Sequence, residues 1–286
     1  MLLVLEGHSS QRDVIAGARD ALPPSVQIFA SHREQRPEIT GLADVAWTEP
    51  SDNTVRVDWV IDKGRFTAAA LAGGLNCIPG VPVTSSEQLV AVYHDLVLQG
   101  PVCVKPVAGV YGQGFWRLSE NTDPFRCFAN ASACEANLRV FADTYAQAKT
   151  PTPLLLMPYL SGSECSIDMV CEAGDVIAYV GRRKQGYYQT FEREGRAVDL
   201  AIRAATHFKC DGLVNVQTRD DGEGIPHLLE INPRYSGGIG YTREVGVNLP
   251  GIFASRRLSL PEPISQWKMG VRVKPINVAI SLDGRC

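Results

Sequence analysis

The chain has 286 residues, and its 28 lysines and arginines against 31 aspartates and glutamates give a formal net charge of −3 at pH 7. This length allows one large domain or two to three small ones. The slightly acidic balance, with no concentrated basic stripe, argues against a nucleic-acid-binding protein.

The amino terminus has no basic leader, and no apolar window is long enough for a membrane span, so neither a signal peptide nor a transmembrane helix is predicted. The eight cysteines form no CxxC pair, and several lie in apolar, strand-like runs. We expect them to be reduced, buried thiols. These features together predict a soluble, cytoplasmic protein.

The first sixty residues predict a small β-α-β unit with a parallel sheet. The expected elements are a strand, a helix and two further strands, over residues 2–5, 13–22, 26–30 and 43–47. Ligands of such sheets bind beyond the carboxyl ends of the strands, which makes His8, Ser9 and Ser10 candidate substrate contacts. The simpler alternative is that Ser9 or Ser10 caps the helix.

The sequence changes character after residue 62, where helices and strands alternate. Thr84 and Glu87 form a predicted capping box before an amphipathic helix that ends at Gly100. Further helices are expected over residues 66–71, over 123–146 with a break, and over 194–208. Strands are expected over residues 102–105, 115–118, 154–157, 164–171 and 176–180, with a last one over 271–280.

A glycine-bearing loop between two of these strands has the features of a flap over phosphates. Lys105 ends the first strand, and Gly109, Gly112 and Gly114 follow before the second. Glycines let backbone N–H groups approach phosphate oxygens, and the lysine adds a compact positive charge. The order of lysine and glycines matches neither a Walker A loop nor a Rossmann fingerprint. An ordinary glycine-rich hairpin bend is an equally common alternative.

The apolar strand at residues 154–157 and the residues after it form a candidate pocket for a base and a sugar. Backbone groups around Met157, Tyr159 and Leu160 can face the edge of adenine. Glu164 is then placed to accept hydrogen bonds from ribose hydroxyls, although a solvated strand start is the alternative. Asp168 shares its face and is equally suited to pair with an arginine.

Two apolar strands that flank the turn sequence DDGEG are the most informative stretch of the chain. Alternation of side chains puts Glu230 and Asn232 on one face, with Leu229 and Ile231 directed into the core. Folding of the hairpin brings Gln217 roughly opposite Glu230. One carboxylate and two amide oxygens suit Mg²⁺ rather than zinc. The alternative is a surface hairpin with polar residues on its solvent-exposed face.

These motifs, together with the LLEINPR, SGG and EVGVNLP segments, resemble the ATP-grasp superfamily, especially its carbamoyl-phosphate-synthetase-like branch. The likeness covers roughly residues 62–250. It implies an ATP-grasp fold of mixed α+β and α/β class. A short N-terminal β-α-β lobe (residues 1–62) would precede two α+β subdomains (residues 63–157 and 158–286) that clasp ATP.

The resemblance also implies roles for individual residues. Gln217, Glu230 and Asn232 would hold two Mg²⁺ ions, for which Mn²⁺ is a substitute. Lys105, Lys63, Gly112 and Gly114 would bind the ATP phosphates, Met157, Tyr159 and Leu160 the base, and Glu164 the ribose. Arg234 would contact the transferred phosphoryl group, and Arg182, Arg183, Lys184 and Arg243 are candidate anion contacts with a solvated position as the alternative.

The chain departs from the family at two places. Met157 stands where the family often has an acidic residue at the start of the hinge, and the N-terminal lobe is short. The substrate pocket is therefore expected to be reduced, or to be completed by a second subunit in a homodimer.

The expected activity is that of an ATP-dependent carboxylate–amine ligase acting on small molecules, with no nucleic-acid or membrane partner. The alternatives are a small-molecule kinase of the same fold and a catalytically silent ATP-binding partner protein.

Overall fold

The computed structural model describes residues 2–4, 10–32, 36–48, 63–107 and 113–276. Three β-sheets organise these residues. His8, Ser9, Gly109, Gly112 and the end of the last predicted strand lie outside the described residues.

The N-terminal lobe, as described over residues 2–48, contains a parallel sheet of three strands and the helix that the sequence predicts, together with a second, short helix that was not predicted. Its elements are β1 (Leu2–Val4), α1 (Gln11–Ala21), β2 (Ile28–His32), α2 (Pro37–Thr40) and β3 (Val45–Thr48), with strand order β1-β2-β3. Helix α1 buries Val14, Ile15 and Ala18 on one face, because these positions recur at helical spacing.

A mixed five-stranded sheet forms the middle of the chain, after helix α3 (Lys63–Ala72). Its strands are β4 (Val81–Val83), β5 (Val102–Pro106), β6 (Trp116–Ser119), β7 (Glu135–Asn137) and β8 (Leu154–Pro158), in the order β4-β8-β5-β6-β7. Helices α4 (Ser86–Val97) and α6 (Leu138–Ala146) contribute Leu89, Tyr93, Leu138 and Ala142 to the core of this unit.

The largest sheet has six strands and lies in the C-terminal half of the chain. They are β9 (Glu164–Glu172), β10 (Asp175–Gln185), β11 (Tyr188–Glu192), β12 (Gly212–Asp220), β13 (Pro226–Asn232) and β14 (Arg272–Val273), and their order is β13-β12-β9-β10-β11-β14. Every neighbouring pair is antiparallel.

Two apolar clusters involve the strands of this sheet. Helix α7 (Arg196–His207) and helix α3 contribute to the first cluster. Helix α1 and helix α8 (Leu249–Arg257) contribute to the second. Helix α3 therefore shares a core with the C-terminal sheet, although the predicted subdomain of residues 63–157 begins with it.

Two of the predicted local structures differ in detail from those observed, although the expected break in the helical region of residues 123–146 is present. Residues 123–146 contain a short helix α5 (Arg126–Ala129), a 3₁₀ turn and strand β7 before α6 begins. Asn137 sets the start of α6, because its side chain accepts hydrogen bonds from the N–H groups of Arg139 and Val140. Similarly, α4 is capped by Ser85 rather than by Thr84, since Ser85 Oγ accepts from Gln88 N at 3.3 Å.

Seven cysteines lie in the described part of the chain, and all seven are free thiols. Five of them are buried, and burial raises the pKa of Cys103 to about 11. The expectation of buried thiols is wrong for Cys127 and Cys134, which are half-buried in the short elements around α5. Among the described helices, none combines the length and apolar character needed to cross a membrane. The cytoplasmic location stays a prediction.

Candidate nucleotide site

A cavity of about 280 Å³ is lined by residues of the five-stranded sheet, the six-stranded sheet and α3. Strands β5 and β8 contribute one side, and β12 and β13 contribute the other. Eight of the residues selected from the sequence line this cavity, namely Lys63, Lys105, Met157, Tyr159, Leu160, Glu164, Gln217 and Glu230.

Two lysines bring positive charge to the cavity. Burial lowers the pKa of Lys63, and burial together with the neighbouring charge of Lys63 lowers the pKa of Lys105. The carboxylate of Glu230 acts in the opposite direction on both lysines. Lys105 forms no ion pair with any of the described residues. Two desolvated ammonium groups favour an anionic ligand, because a phosphate offsets both the burial and their mutual repulsion.

The hairpin of β12 and β13 presents the predicted metal ligands. Gln217 lies directly opposite Glu230 in the register, as predicted. Asn232 Nδ2 donates to Glu230 Oε1 at 2.9 Å, so these two side chains share a face of the strand. Asn232 does not itself line the cavity.

A β-bulge changes the direction of one side chain in this hairpin. The register shifts after Gln217, so that Thr218 pairs with Leu228 and Leu229 is the extra residue. Leu228 and Ile231 belong to the buried core, although Leu228 also touches the cavity. Leu229 is half-buried, lines the cavity and lies outside that core. The prediction that Leu229 points into the core is therefore wrong, since strict alternation does not hold across a bulge.

The chemistry of these donors fits a hard divalent cation. Gln217, Glu230 and Asn232 offer one carboxylate and two amide oxygens, and oxygen ligands are those that Mg²⁺ prefers. Within the described ranges, no cluster of three or more His, Cys, Asp or Glu side chains is suited to hold a metal. A cation at this cavity would thus depend on the amide oxygens as well as on Glu230.

The segment after β8 places the ring of Tyr159 near two guanidinium groups. The Tyr159 ring lies 5.3 Å from Arg117 Cζ, on β6, and 5.4 Å from Arg219 Cζ, on β12. Tyr159 N donates to Pro101 O at 2.7 Å. The side chain of Tyr159 therefore contacts both of the sheets that line the cavity.

Glu164 lies at the start of β9 and lines the cavity, where it forms an ion pair with Lys184. The distance between Glu164 Oε1 and Lys184 Nζ is 2.7 Å, and the lysine side chain is 52% exposed. A nucleotide ribose that used this carboxylate would compete with Lys184 for it.

The basic residues at positions 182–184 lie outside the lining of the cavity, and each is paired with a carboxylate. Arg182 is buried against Asp168, and Arg183 is paired with Glu192 and Asp220. The alternative of a solvated basic turn is wrong for both arginines, because they lie in β10 and are largely covered.

Three further predicted residues lie at or beyond the edge of the site. Arg234 is half-buried, its Nη2 donates to Asn232 Oδ1 at 3.3 Å, and burial lowers its pKa. Gly114 has a left-handed backbone with φ of 74°, and a Cβ there would come within 2.8 Å of the Pro106 ring. Arg243 forms an ion pair with Asp20 of the N-terminal lobe.

Comparison with known proteins identifies the fold. Residues 150–279 match a family model described as ATP-grasp in the biosynthetic pathway with Ter operon. An ADP complex of N5-carboxyaminoimidazole ribonucleotide synthetase is similar over 93% of this chain and 78% of its own, with 14% identity and a TM-score of 0.68. The chain has the ATP-grasp fold.

Two other solved structures support this assignment. The biotin carboxylase domain of 2-oxoglutarate carboxylase from Hydrogenobacter thermophilus, a dimer with MgADP, ADP and bicarbonate, has a TM-score of 0.64 at 15% identity. The match covers 92% of this chain and 71% of that one. The L-amino acid ligase from Bacillus licheniformis has a TM-score of 0.60 at 13% identity, over 91% and 74% of the two chains. The sequence resemblance to ATP-grasp proteins is confirmed.

Several residues that line the cavity were not predicted from the sequence. They are Thr67, Cys77, Ile78, Cys103, Gln113, Phe115, Arg219 and Leu228. Arg219 was open to prediction, because it follows Gln217 by two residues on one strand and so shares its face. Cys77 lies beside the site through a bridge to Leu228, and no local pattern signals a pairing across 151 positions.

Proposed function

We propose that the protein is an ATP-dependent ligase that activates a small-molecule carboxylate as an acyl phosphate and joins it to an amine. ADP and phosphate are the other products. The observation that carries this proposal is the cavity itself, where two lysines with lowered pKa values face Gln217 and Glu230. Clustered cations and oxygen ligands are the arrangement that phosphoryl transfer requires.

Each side chain has a role in this proposal. Lys63 and Lys105 bind the phosphates, and Gly112 and Gly114 would let backbone N–H groups approach the same oxygens. The hinge residues Met157, Tyr159 and Leu160 hold the base, and Glu164 accepts the ribose hydroxyls. Arg234 faces the transferred phosphoryl group, and Lys184 becomes free to contact an anionic substrate when the ribose takes Glu164.

The metal ligands complete the site. Gln217, Glu230 and Asn232 would hold two Mg²⁺ ions, or Mn²⁺ in their place. The bound metal supplies charge neutralisation on the phosphate oxygens. The side chains hold the ligand oxygens in position before the reaction begins, which reduces the reorganisation needed during transfer.

The proposed reaction has two steps and no covalent enzyme intermediate. A carboxylate oxygen of the substrate attacks the γ-phosphorus, and the bond to ADP breaks. The amine nitrogen then attacks the acyl carbon and loses a proton, and phosphate leaves with the former carboxylate oxygen. Arg234 and the backbone N–H groups of Ser236 and Gly237, which follow β13, would stabilise the oxyanion of the second step. The N–H of Gly238 already donates to Ser236 Oγ at 3.1 Å.

The similar structures support this class of chemistry. They include an L-amino acid ligase and a carboxyaminoimidazole ribonucleotide synthetase with ADP. We also propose a homodimer, because a second subunit would complete the substrate side of the short N-terminal lobe. One of the similar proteins is described as a dimer.

The decisive experiment is a screen of acid and amine pairs with detection of ADP and of the organic product. A ligase releases ADP only when both an acid and an amine are present. A stable phosphorylated product in the absence of any amine would instead identify a kinase. No ADP with any pair, in a protein that still binds ATP, would indicate a catalytically silent ATP-binding partner protein.

The variant Glu230→Ala tests the metal assignment in the same assay. We expect turnover to fall by about 10²- to 10³-fold, the usual loss when one preorganised electrostatic group is removed. The control is Glu262→Ala, which removes an exposed carboxylate that pairs with Arg256. Turnover near that of the unmodified protein in the Glu230 variant would reject this assignment.

A further inference from the structure

A buried polar network leads from the metal ligand Gln217 into the interior of the large sheet. Gln217 Nε2 donates to Asn215 Oδ1 at 3.3 Å. Asn215 Nδ2 in turn donates to Asp168 Oδ1 at 2.9 Å and to Ser166 Oγ at 2.9 Å. Asn215 and Asp168 are 1% and 0% exposed, so water does not compete for these contacts.

Arg182 holds the inner end of this network. Its Nε donates to Asp168 Oδ2 at 2.7 Å, and its two terminal nitrogens donate to Gln189, Ser166 and Ser236. Both oxygens of Asp168 are therefore occupied by donors from different strands. With four partners around the guanidinium, neither Arg182 nor Asp168 has freedom to turn.

The direction of each hydrogen bond fixes the direction of the next. A carboxylate only accepts, so Asp168 requires the NH₂ group of Asn215 on its side. The oxygen of Asn215 then faces Gln217 and requires the NH₂ group of that side chain. The carbonyl oxygen of Gln217 is consequently left for the cavity, which is the orientation that a cation needs.

We propose that Asp168, held by Arg182, is a positioning residue that sets the amide orientation of Gln217 through Asn215. This inference rests on the proposed function, because it concerns the metal ligand of that site. Groups behind a metal ligand commonly change metal affinity by about 10- to 100-fold when they are altered. Asp168 thereby acts on the metal without touching it.

The variant Asp168→Asn reverses the pattern with almost no change in volume. Because Arg182 is charged, it retains the single remaining oxygen at position 168. The new NH₂ group then faces Asn215, which turns its own oxygen inward. Gln217 turns in response and presents an NH₂ group, which is no ligand for a cation, to the cavity.

The experiment compares ADP binding with and without Mg²⁺ by titration calorimetry, so it needs no substrate. In the unmodified protein, Mg²⁺ should tighten ADP binding. In Asp168→Asn, we expect this gain to shrink by about 10-fold or more while metal-free ADP binding is unchanged. The matched control is Glu172→Gln at the C-terminal end of β9, where the carboxylate pairs with Arg256.

The outcomes separate this inference from the proposed function. An unmodified protein whose ADP affinity does not respond to Mg²⁺ would contradict the proposed ATP–metal site. A normal Mg²⁺ response in the unmodified protein and an equal one in Asp168→Asn would overturn the inference alone. A parallel loss of metal-free ADP binding would indicate general damage and would also overturn it.

A second variant is needed if Asp168→Asn does not fold, which thermal melting would detect. Asn215→Ala leaves the Asp168–Arg182 pair intact and removes the acceptor that orients Gln217. The Mg²⁺-dependent gain in ADP affinity should fall there as well. An unchanged gain in folded Asn215→Ala would reject the network as a positioning device.

Discussion

Two cationic regions of this molecule have opposite surroundings. Lys105 lines the cavity, and it has no ion-pair partner among the described residues. Arg182 lies outside the lining of the cavity and is enclosed by Asp168, Ser166, Gln189 and Ser236. Both were candidates for anion binding from the sequence. The difference is that only the lysine retains its donors for a ligand.

The energetic cost of burial explains why this difference matters. A buried charge without a partner is destabilising, and a lowered lysine pKa is the sign of that cost. A fold retains such a group where a ligand offsets the cost. A buried arginine with a full set of acceptors has already offset it inside the protein, so its role is to position its neighbours.

The largest expected effect is on stability, at Arg182. Arg182→Met preserves much of the volume but leaves Asp168 buried without its charged partner. Loss of one member of a buried ion pair usually costs about 3–5 kcal/mol. Urea unfolding measures this loss directly. Arg256→Met, which breaks a more exposed pair with Glu172, should cost about 1 kcal/mol or less. Equal losses in the two variants would contradict the structural role of Arg182.

The next effect is on nucleotide binding, at Lys105. Lys105→Ala should weaken ADP binding by about 1.5–3 kcal/mol, or roughly 10- to 150-fold, because a charge-assisted hydrogen bond to phosphate is lost. Titration calorimetry in the presence of Mg²⁺ provides the measurement. The control is Lys149→Ala in the exposed loop before β8. An ADP affinity within twofold of the unmodified protein would show that Lys105 does not contact the phosphates.

The pH dependence of ADP binding separates the charge of Lys105 from its shape. Its pKa is lowered by burial and by Lys63, so the folded protein loses this proton at a lower pH than an ordinary lysine does. ADP affinity should therefore fall as the pH rises through the lowered pKa, before exposed lysines titrate. The pKa of Lys63 is lowered as well, so the contribution of Lys105 is isolated by a variant that changes Lys105 alone. An arginine at this position stays charged at higher pH, so the Lys105→Arg variant should retain its affinity for ADP further into the alkaline range. Identical alkaline profiles for the two proteins would assign the loss to another group.

The lowered pKa of Lys105 makes stability without ligand respond to pH in the opposite direction from ADP affinity. The unfolded chain holds the proton of Lys105 more tightly than the folded chain does, so the charged lysine destabilises the fold at neutral pH. This penalty decreases as the pH rises through the folded pKa toward the ordinary lysine range. Nucleotide binding and stability without ligand are thus expected to respond to alkaline pH in opposite directions at this residue.

The sequence was most informative where structure is local. The turn sequence DDGEG and the flanking strands were enough to predict that Gln217 lies opposite Glu230. The bulge at Leu229 was not predictable in this way, because two apolar residues in succession fit either register. Strand β7 escaped detection because three residues inside a helix-like window carry too little pattern.

Long-range pairing explains the rest of what the sequence left open. Whether Arg182 faces a ligand or a carboxylate depends on Asp168, which lies on the neighbouring strand. Any acidic residue of the chain is a possible partner for a basic triplet, so composition alone does not decide between binding and structural roles. The register of β9 against β10 decides it, and that register depends on the folded sheet.

The smallest expected effect is at Lys184, whose surroundings are intermediate between those of Lys105 and those of Arg182. Its ion pair with Glu164 is half exposed, and such pairs contribute about 0–1 kcal/mol. Lys184→Met should therefore change urea stability by no more than about 1 kcal/mol. ADP binding should be unchanged or up to about fivefold tighter, since Glu164 no longer has to leave a partner to reach the ribose. Calorimetry with ADP and Mg²⁺ tests this point. A loss of ADP affinity of tenfold or more would instead show that Lys184, like Lys105, contacts the nucleotide. Of the residues compared, only Arg182 would then have a purely structural role.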